Sequence, residues 1–260
     1  MTLRTDRRRF LMGAAAAAST LPISGCFDPL VGGDSQVRDV LAKANDLTYR
    51  AQRLLLGSDT LAPEFAKSDI RQPMRPNGST NPQDEPYLAL ARNAFSGYRL
   101  SVSGAVKRTL SLSLDDIHAM PARTQITRHD CVEGWSCIAE WTGTPLGAVL
   151  DRAEVLPSAR YVVFLCFDTL ANSFTGPVRY YESIDLQDAR HPQTILAYGM
   201  NGTALPVSNG APLRVRVERQ LGYKMAKYIR AIVVTDNLAP YGEGGGGFWE
   251  DRGYDWFAGI

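Results

Sequence analysis

Residues 161–167, YVVFLCF, restrict the fold more than any other part of this 260-residue chain. The segment is a near-continuous apolar run bounded by Arg160 and Asp168. It has no polar face to offer water, so it predicts a fully buried strand. Strand patterns surround it from Arg99 onward. Leu100 and Val102 alternate with polar neighbours, as do Leu110, Leu112 and Leu114. Leu213, Val215 and Val217 alternate with Arg214, Arg216 and Glu218, and residues 231–234 supply a last core strand. Asn201-Gly202 is a tight-turn pair. Thr144-Pro145 opens a short helix that buries Leu146, Val149 and Leu150. Upstream, Val37, Val40, Leu41, Ala44, Leu47, Ala51, Leu54 and Leu55 recur at helical spacing, which predicts an amphipathic helix over 34–57. Asp34 or Ser35 can cap it and Gly57 can end it. Residues 63–86 are rich in Pro, Asn, Gly, Ser and Asp and predict a long irregular segment of the kind that wraps a site. No internal repeat is present. The expected class is α+β, mostly β, with residues 26–260 as one domain.

The start reads as an address. Arg7-Arg8-Arg9-Phe10-Leu11 is a twin-arginine pattern, followed by an Ala-rich apolar stretch. The export machinery that reads it carries folded proteins, and a cofactor fitted before export is the usual reason to fold first. Ile23-Ser24-Gly25-Cys26 has the form of a lipoprotein signal, which makes Cys26 the expected lipid anchor and the periplasm the expected location. A free or disulfide-bonded Cys26 is the alternative. No later run approaches the roughly 18 apolar residues of a membrane span. Without residues 1–25 the chain keeps 24 basic and 26 acidic residues. That balance gives no reason to expect a nucleic-acid partner.

Setting Cys26 aside leaves Cys131, Cys137 and Cys166, an odd number for an exported protein. Three alternatives stand on the residues alone. Cys131 and Cys137 form a disulfide with Cys166 buried; or His129 joins the three cysteines around zinc, although the tight Cys-x-x-Cys spacing is missing; or one thiolate binds the metal of a preloaded cofactor.

The sequence around Cys131 bears on that choice. Residues 128–136 read RHDCVEGWS and residues 141–146 read WTGTPL. Residues 201–206, NGTALP, 209–214, NGAPLR, and 222–227, GYKMAK, follow in order. In combination, over about residues 97–236, they resemble the molybdopterin-binding domain of the sulfite oxidase superfamily, and within it the catalytic subunits of periplasmic protein-methionine-sulfoxide reductases. The resemblance implies a mixed-sheet fold of that type and a molybdenum-molybdopterin cofactor with Cys131 as the metal ligand and catalytic residue. It implies two-electron oxygen-atom transfer, with the cofactor supplying the reactivity. Arg214 then suits the pterin phosphate, since its forked donors match phosphate oxygens. Asn209 sits beside the pterin, Met225, Ala226 and Lys227 match the segment that holds it, Cys166 stands where relatives carry Thr, and Asn77 replaces an upstream Asn. The expected divisions are a signal over 1–25, an N-terminal helix and wrapping segment over 26–96, a catalytic core over 97–236 and a Gly-rich aromatic tail over 237–260.

Taken singly, each of these residues has a structural reading too. Arg214 and Lys227 read as solvated strand charges, Asn209-Gly210 as a turn, Trp135 and Trp141 as core aromatics, Cys166 as core, and His129 as either a structural hydrogen-bonder or a proton donor. The expected function is S-oxide reduction on a small-molecule or protein-bound substrate. A sulfite-oxidising enzyme and a non-catalytic exported lipoprotein are the alternatives. Sulfite oxidases look to supply an Arg just after the metal-binding Cys, whereas this chain has Glu133, Gly134 and Trp135. Trp249, Tyr254 and Trp256 of the tail are candidates for the same pocket. No haem-attachment or iron–sulfur cysteine pattern is present, so electrons are expected from a separate membrane b-type cytochrome. The expected state is a monomer.

Overall fold

The computed structural model describes residues 36–173 and 176–260. The twin-arginine pattern, Cys26 and the helix-capping positions Asp34 and Ser35 lie outside the described residues. The chain divides into a unit that ends at Leu47 and a unit formed by Thr48–Ile260, which carries every strand described here. Helix α1, Gln36–Leu56, runs across that division. Leu47, Leu54 and Leu55 on it are exposed, so the apolar spacing forms a helix without burying these three leucines. No helix among the described residues is long and apolar enough to cross a membrane.

Residues 63–84 form extended chain with a single 3-10 turn at Lys67–Asp69. This segment is tied to other strands by main-chain bonds, Phe65 N–H to Ile126 O at 2.9 Å and Arg71 N–H to Ile138 O at 3.0 Å. The expected irregular stretch ends earlier than Pro86. Helix α2, Glu85–Arg92, begins there with Pro86 in its first turn, where a missing N–H costs nothing. It buries Tyr87, whose hydroxyl donates to Ala211 O at 2.8 Å.

Two sheets follow. The first has the order β2-β1-β10-β5-β6, built from β1 Leu100–Gly104, β2 Leu110–Leu112, β5 Tyr161–Ser173, β6 Gly176–Asp185 and β10 Ile229–Thr235. β1 and β10 pair in parallel and the other neighbours are antiparallel, so the sheet is mixed. The second contains β3 Arg123–Asp130, β4 Ser136–Pro145, β7 Ile195–Met200 and β8 Thr203–Ala204, with β9 Arg214–Arg216 also paired to β7. The apolar run at 161–167 is the first half of β5. Val162, Val163, Phe164 and Cys166 are buried, whereas Tyr161, Leu165 and Phe167 are half-buried. Leu114 does not extend β2. Ser113 accepts from Asp116 N–H at 3.0 Å and caps helix α3, Leu114–His118. Helix α4, Leu146–Ala153, buries Leu146, Val149 and Leu150 as its spacing predicts. The four-residue helix α5, Leu186–Ala189, follows β6. Asn201 and Gly202, both at positive φ, turn β7 into β8.

The main core collects Leu100 and Val102 of β1, Leu146, Val149 and Leu150 of α4, Val162 and Phe164 of β5, and Ile229 and Ile232 of β10. A smaller cluster of Ala139, Trp141, Ile195 and Ala197 packs around β4 and β7. At Gly143 the β4–β7 pairing shifts register, and a Cβ there would strike the Leu196 and Ala197 backbone. Gly143→Ala should therefore destabilise the protein by about 1–3 kcal/mol. The measurement is a lower urea midpoint at an unchanged m-value, and an unchanged midpoint rejects the argument.

Candidate functional site

Cys131 stands in the turn between β3 and β4. Its N–H donates to Trp135 O at 2.9 Å, and Gly134 N–H donates back to Cys131 O at 3.0 Å. Gly134 has φ +85, which glycine adopts without steric cost. The turn leaves the thiol half-buried and unpaired. Burial and the Glu133 carboxylate push its pKa up, against the Glu133 and Val132 amides and the Arg75 guanidinium. Cys137 and Cys166 are also free, which removes the disulfide alternative. The zinc alternative fails as well. Among the described residues, no three His, Cys, Asp or Glu side chains are grouped to hold a metal ion.

Behind Cys131, β9 and the residues just after it carry three charges inward. Arg214, Arg216 and Glu218 are buried, so the solvated-strand reading of this segment is wrong for Arg214. Arg216 donates to Glu218 through Nε at 2.9 Å and Nη2 at 2.6 Å. Its Nη1 lies 2.9 Å from His129 Nδ1. A guanidinium only donates, so Nδ1 is the acceptor and the proton of the neutral ring sits on Nε2. Burial, then Arg216, Arg214 and Lys227, hold the His129 pKa well below its ordinary value. His129 is therefore a neutral structural hydrogen-bonder, not an imidazolium proton donor. Gly222 must be glycine, because a Cβ would strike the His129 ring.

Arg214 and Lys227 contrast with Arg216. Arg214 donates to Asn209 O at 2.9 Å and packs 4.9 Å from the Trp141 ring centroid. Lys227 donates to Asn77 O at 2.5 Å, and also to Ser79 O. These partners are carbonyls, and among the described residues neither cation makes an ion pair with a carboxylate. Burial and the neighbouring Arg214 push Lys227 down to about 7, and burial with Arg216 pushes Arg214 down to about 9. Asn209 Nδ2, Arg214 Nε, Asn77 Oδ1 and Asp168 Oδ1 are buried without a hydrogen-bond partner. Such groups are costly unless something else satisfies them.

A partly open cavity joins these parts. Cys131, Asn77, Met225 and Lys227 line it, so four of the eight expected site residues meet at one surface. Asn209, Arg214 and Ala226 form the layer behind, with Val215 N–H donating to Ala226 O at 2.9 Å. Cys166 is fully buried in the main core instead. Two residues further along β5, Asp168 does line the cavity, and burial pushes its pKa up to about 6 against the pull of Lys227. Tyr180 and Tyr223 are also walls. Sequence reasoning missed Asp168, although a carboxylate closing an apolar strand run is a legible signal. Nothing in the local pattern distinguishes Tyr180. Trp249 and Tyr254 line the cavity, whereas Trp256 packs against Tyr49 and Tyr161. At the mouth, Glu133 accepts from Trp135 Nε1 at 2.8 Å and lies 3.9 Å from Arg75. Trp141 is a buried core aromatic, as its structural reading has it.

The family model described as the oxidoreductase molybdopterin binding domain matches residues 88–241. A chain of Azospira oryzae named as a protein-methionine-sulfoxide reductase subunit is 35% identical over 253 residues, 97% of this chain and 87% of its own length. The protein-methionine-sulfoxide reductase catalytic subunit of Ralstonia nicotianae is 38% identical over 152 residues, 55% of this chain and 45% of that one. The match thus spans under half of the Ralstonia subunit. The sulfane dehydrogenase SoxCD from Paracoccus pantotrophus aligns at a TM-score of 0.49 and 22% identity over 55% of this chain and 39% of that one. The donor set fits the family's group. Among the described residues the two buried cations hydrogen-bond only carbonyls, Asp168 offsets Lys227 from a distance, and unpartnered polar atoms of Asn77, Asn209 and Arg214 are left over, a donor set that a phosphate-bearing heterocycle fits.

Lys227 gives a pH signature in the cofactor-free protein. Between its folded value of about 7 and the ordinary 10.5, the unfolded chain binds the extra proton. Stability therefore rises with pH across that window. Lys227→Met removes this contribution. Its stability advantage over the parent at about pH 7 should shrink as pH rises towards about 10. Urea midpoints measure this, and a pH-independent difference between the two proteins rejects the assignment.

Proposed function

The chain belongs to the oxidoreductase molybdopterin-binding family, and from that premise we propose that it reduces S-oxides to thioethers outside the inner membrane. The observation that carries the reading is the pair of buried cations, Arg214 and Lys227, whose hydrogen bonds among the described residues go only to carbonyls, beside the cavity that Cys131 lines. Asp168 and Glu218 offset these charges in part, and an anionic cofactor would add countercharge. In this reading Cys131 is the metal ligand. Arg214 and Lys227 take the pterin phosphate. Asn209, Asn77, Met225 and Ala226 meet the pterin through side-chain amide and backbone. Cys166 acts through its place in the core behind the cavity. When bound, the molybdenum-molybdopterin supplies two-electron oxygen-atom transfer.

The chain's own residues set the conditions for that chemistry. Burial holds the Cys131 thiol protonated and the Val132 and Glu133 amides oppose this, so a bound metal would be what stabilises the thiolate. The neutral His129 ring, pinned by Arg216, fixes the end of β3 from which the turn departs. Aromatic walls at Tyr180, Tyr223, Trp249 and Tyr254 exclude water and accept an apolar thioether. The named activity of the Azospira and Ralstonia relatives supports an S-oxide over sulfite. Sulfite oxidation has one observation in its favour, since Arg75 offsets the Glu133 carboxylate at the mouth. The twin-arginine pattern and Cys26 support export and lipid anchoring in the periplasm, near a membrane b-type cytochrome that exchanges electrons with this monomeric subunit.

Protein from a molybdenum-competent host should carry about one molybdenum per chain and turn over methyl sulfoxides with a reduced dye. Cys131→Ala should keep the parent's circular dichroism while losing the metal-centred paramagnetic signal and turnover. Full activity in that variant sinks the ligand assignment. A larger kcat/KM for sulfite with ferricyanide than for methyl sulfoxides moves the protein to the sulfite-oxidising reading.

A further inference from the structure

The family match ends at residue 241, yet the cavity does not. Trp249 and Tyr254, from the tail beyond the matched region, line it together with Cys131. We propose that the C-terminal tail is the substrate-selecting wall of the site, holding the sulfoxide's flanking alkyl groups between Trp249, Tyr254 and Tyr223, and that the buried Glu182–Lys224–Glu250 cluster positions it. This rests on the S-oxide reading above and deepens it.

The three rings form a continuous aromatic surface. Tyr223 and Tyr254 meet edge to face with centroids 5.3 Å apart, and Trp249 packs on Tyr254 at 5.3 Å. Tyr223 also donates its hydroxyl to Asp255 O at 2.7 Å, so wall and tail hold each other. A methyl sulfoxide has a polar S–O group flanked by weakly polar carbons. Aromatic faces suit those carbons and the sulfur, leaving the oxygen free to point towards the metal side of the cavity.

Anchor residues directly follow two of the three rings. Lys224 is fully buried and donates to Glu182 Oε1 at 2.5 Å, and to Glu250. Lys224 follows Tyr223, Glu250 follows Trp249, and Glu182 is two residues from the cavity wall Tyr180. One ammonium therefore ties three wall-bearing segments, from β6, the 222–224 turn and the tail. Gly247 leaves room for it, since a Cβ there would strike Glu250 and crowd Glu182. Farther along, Asp251 accepts from Tyr181 Oη at 2.6 Å and from the Glu243 and Gly245 amides at 3.0 and 2.9 Å. Ser183 donates to Gly246 O at 2.5 Å and accepts from Trp256 Nε1 at 2.8 Å. None of these groups touches Cys131, so they position the wall and take no part in oxygen transfer.

The test uses the molybdenum-loaded enzyme and free methionine sulfoxide with reduced methyl viologen. Trp249→Ala should raise KM about tenfold, the value of one lost aromatic contact, with kcat within about twofold. Molybdenum content should not change. Glu250→Gln should raise KM in the same direction and speed tryptic cleavage after Arg252, a readout that needs no cofactor. Glu250→Asp should recover part of both. If Glu250→Gln fails to fold, Trp249→Ala decides. An unchanged KM, or a fall in kcat alone, in an otherwise active Trp249→Ala enzyme overturns the inference and leaves the S-oxide reading standing. A parent enzyme loaded with molybdenum that reduces no S-oxide overturns both.

Discussion

The Arg216 guanidinium holds together the parts on which the site depends. It bonds both oxygens of Glu218 and the Nδ1 atom of His129, with all three side chains out of water. Gln125 adds a donor to Glu218 at 2.8 Å. The pair joins β9 to the end of β3, and the turn bearing Cys131 leaves from that end. A buried pair of this kind adds little net stability, but removing one partner typically costs about 3–5 kcal/mol. Its effect is therefore geometric. It fixes where β3 stops, and the hydrogen bonds of the Cys131–Trp135 turn then fix the thiol.

Arg214 and Lys227 are in a different condition. Their partners are carbonyls and an aromatic face, and unpartnered polar atoms surround them. A protein selected for stability alone would pair these charges or replace them with apolar side chains. The arrangement is instead complete once an anion is present, so folding and cofactor loading reinforce each other.

The cavity also divides the labour of its walls. The Cys131 turn, the buried cations Arg214 and Lys227 and the 225–227 segment lie within the region that the family shares. The tail adds aromatic surface from outside it, clamped by charges that never reach the cavity. A shared cofactor cradle with a separately anchored outer wall allows substrate preference to change without disturbing the metal site.

Helical spacing in α1 and α4, the alternation in β1, the apolar run in β5 and the turn at Asn201-Gly202 were all legible, because each depends on neighbours within a few residues. The ordered motifs from residue 128 to 227 identified the family for the same reason, since each motif is a local backbone shape with its side chains attached. Leu114 continued a strand pattern but entered a helix, because the Ser113 cap competed with the alternation and won. The direction of Arg214 was not legible. A strand that alternates apolar and charged residues reads as half-solvated, and only burial on both faces of β9 turned those charges inward. Asp168, Tyr180, Trp249 and Tyr254 became walls of one cavity through contacts spanning more than 80 residues of chain. Sequence alone determined the family, the cofactor and the local elements. Tertiary structure decided which charges are buried against carbonyls and which rings face the site, because both depend on what packs against a residue from distant parts of the chain.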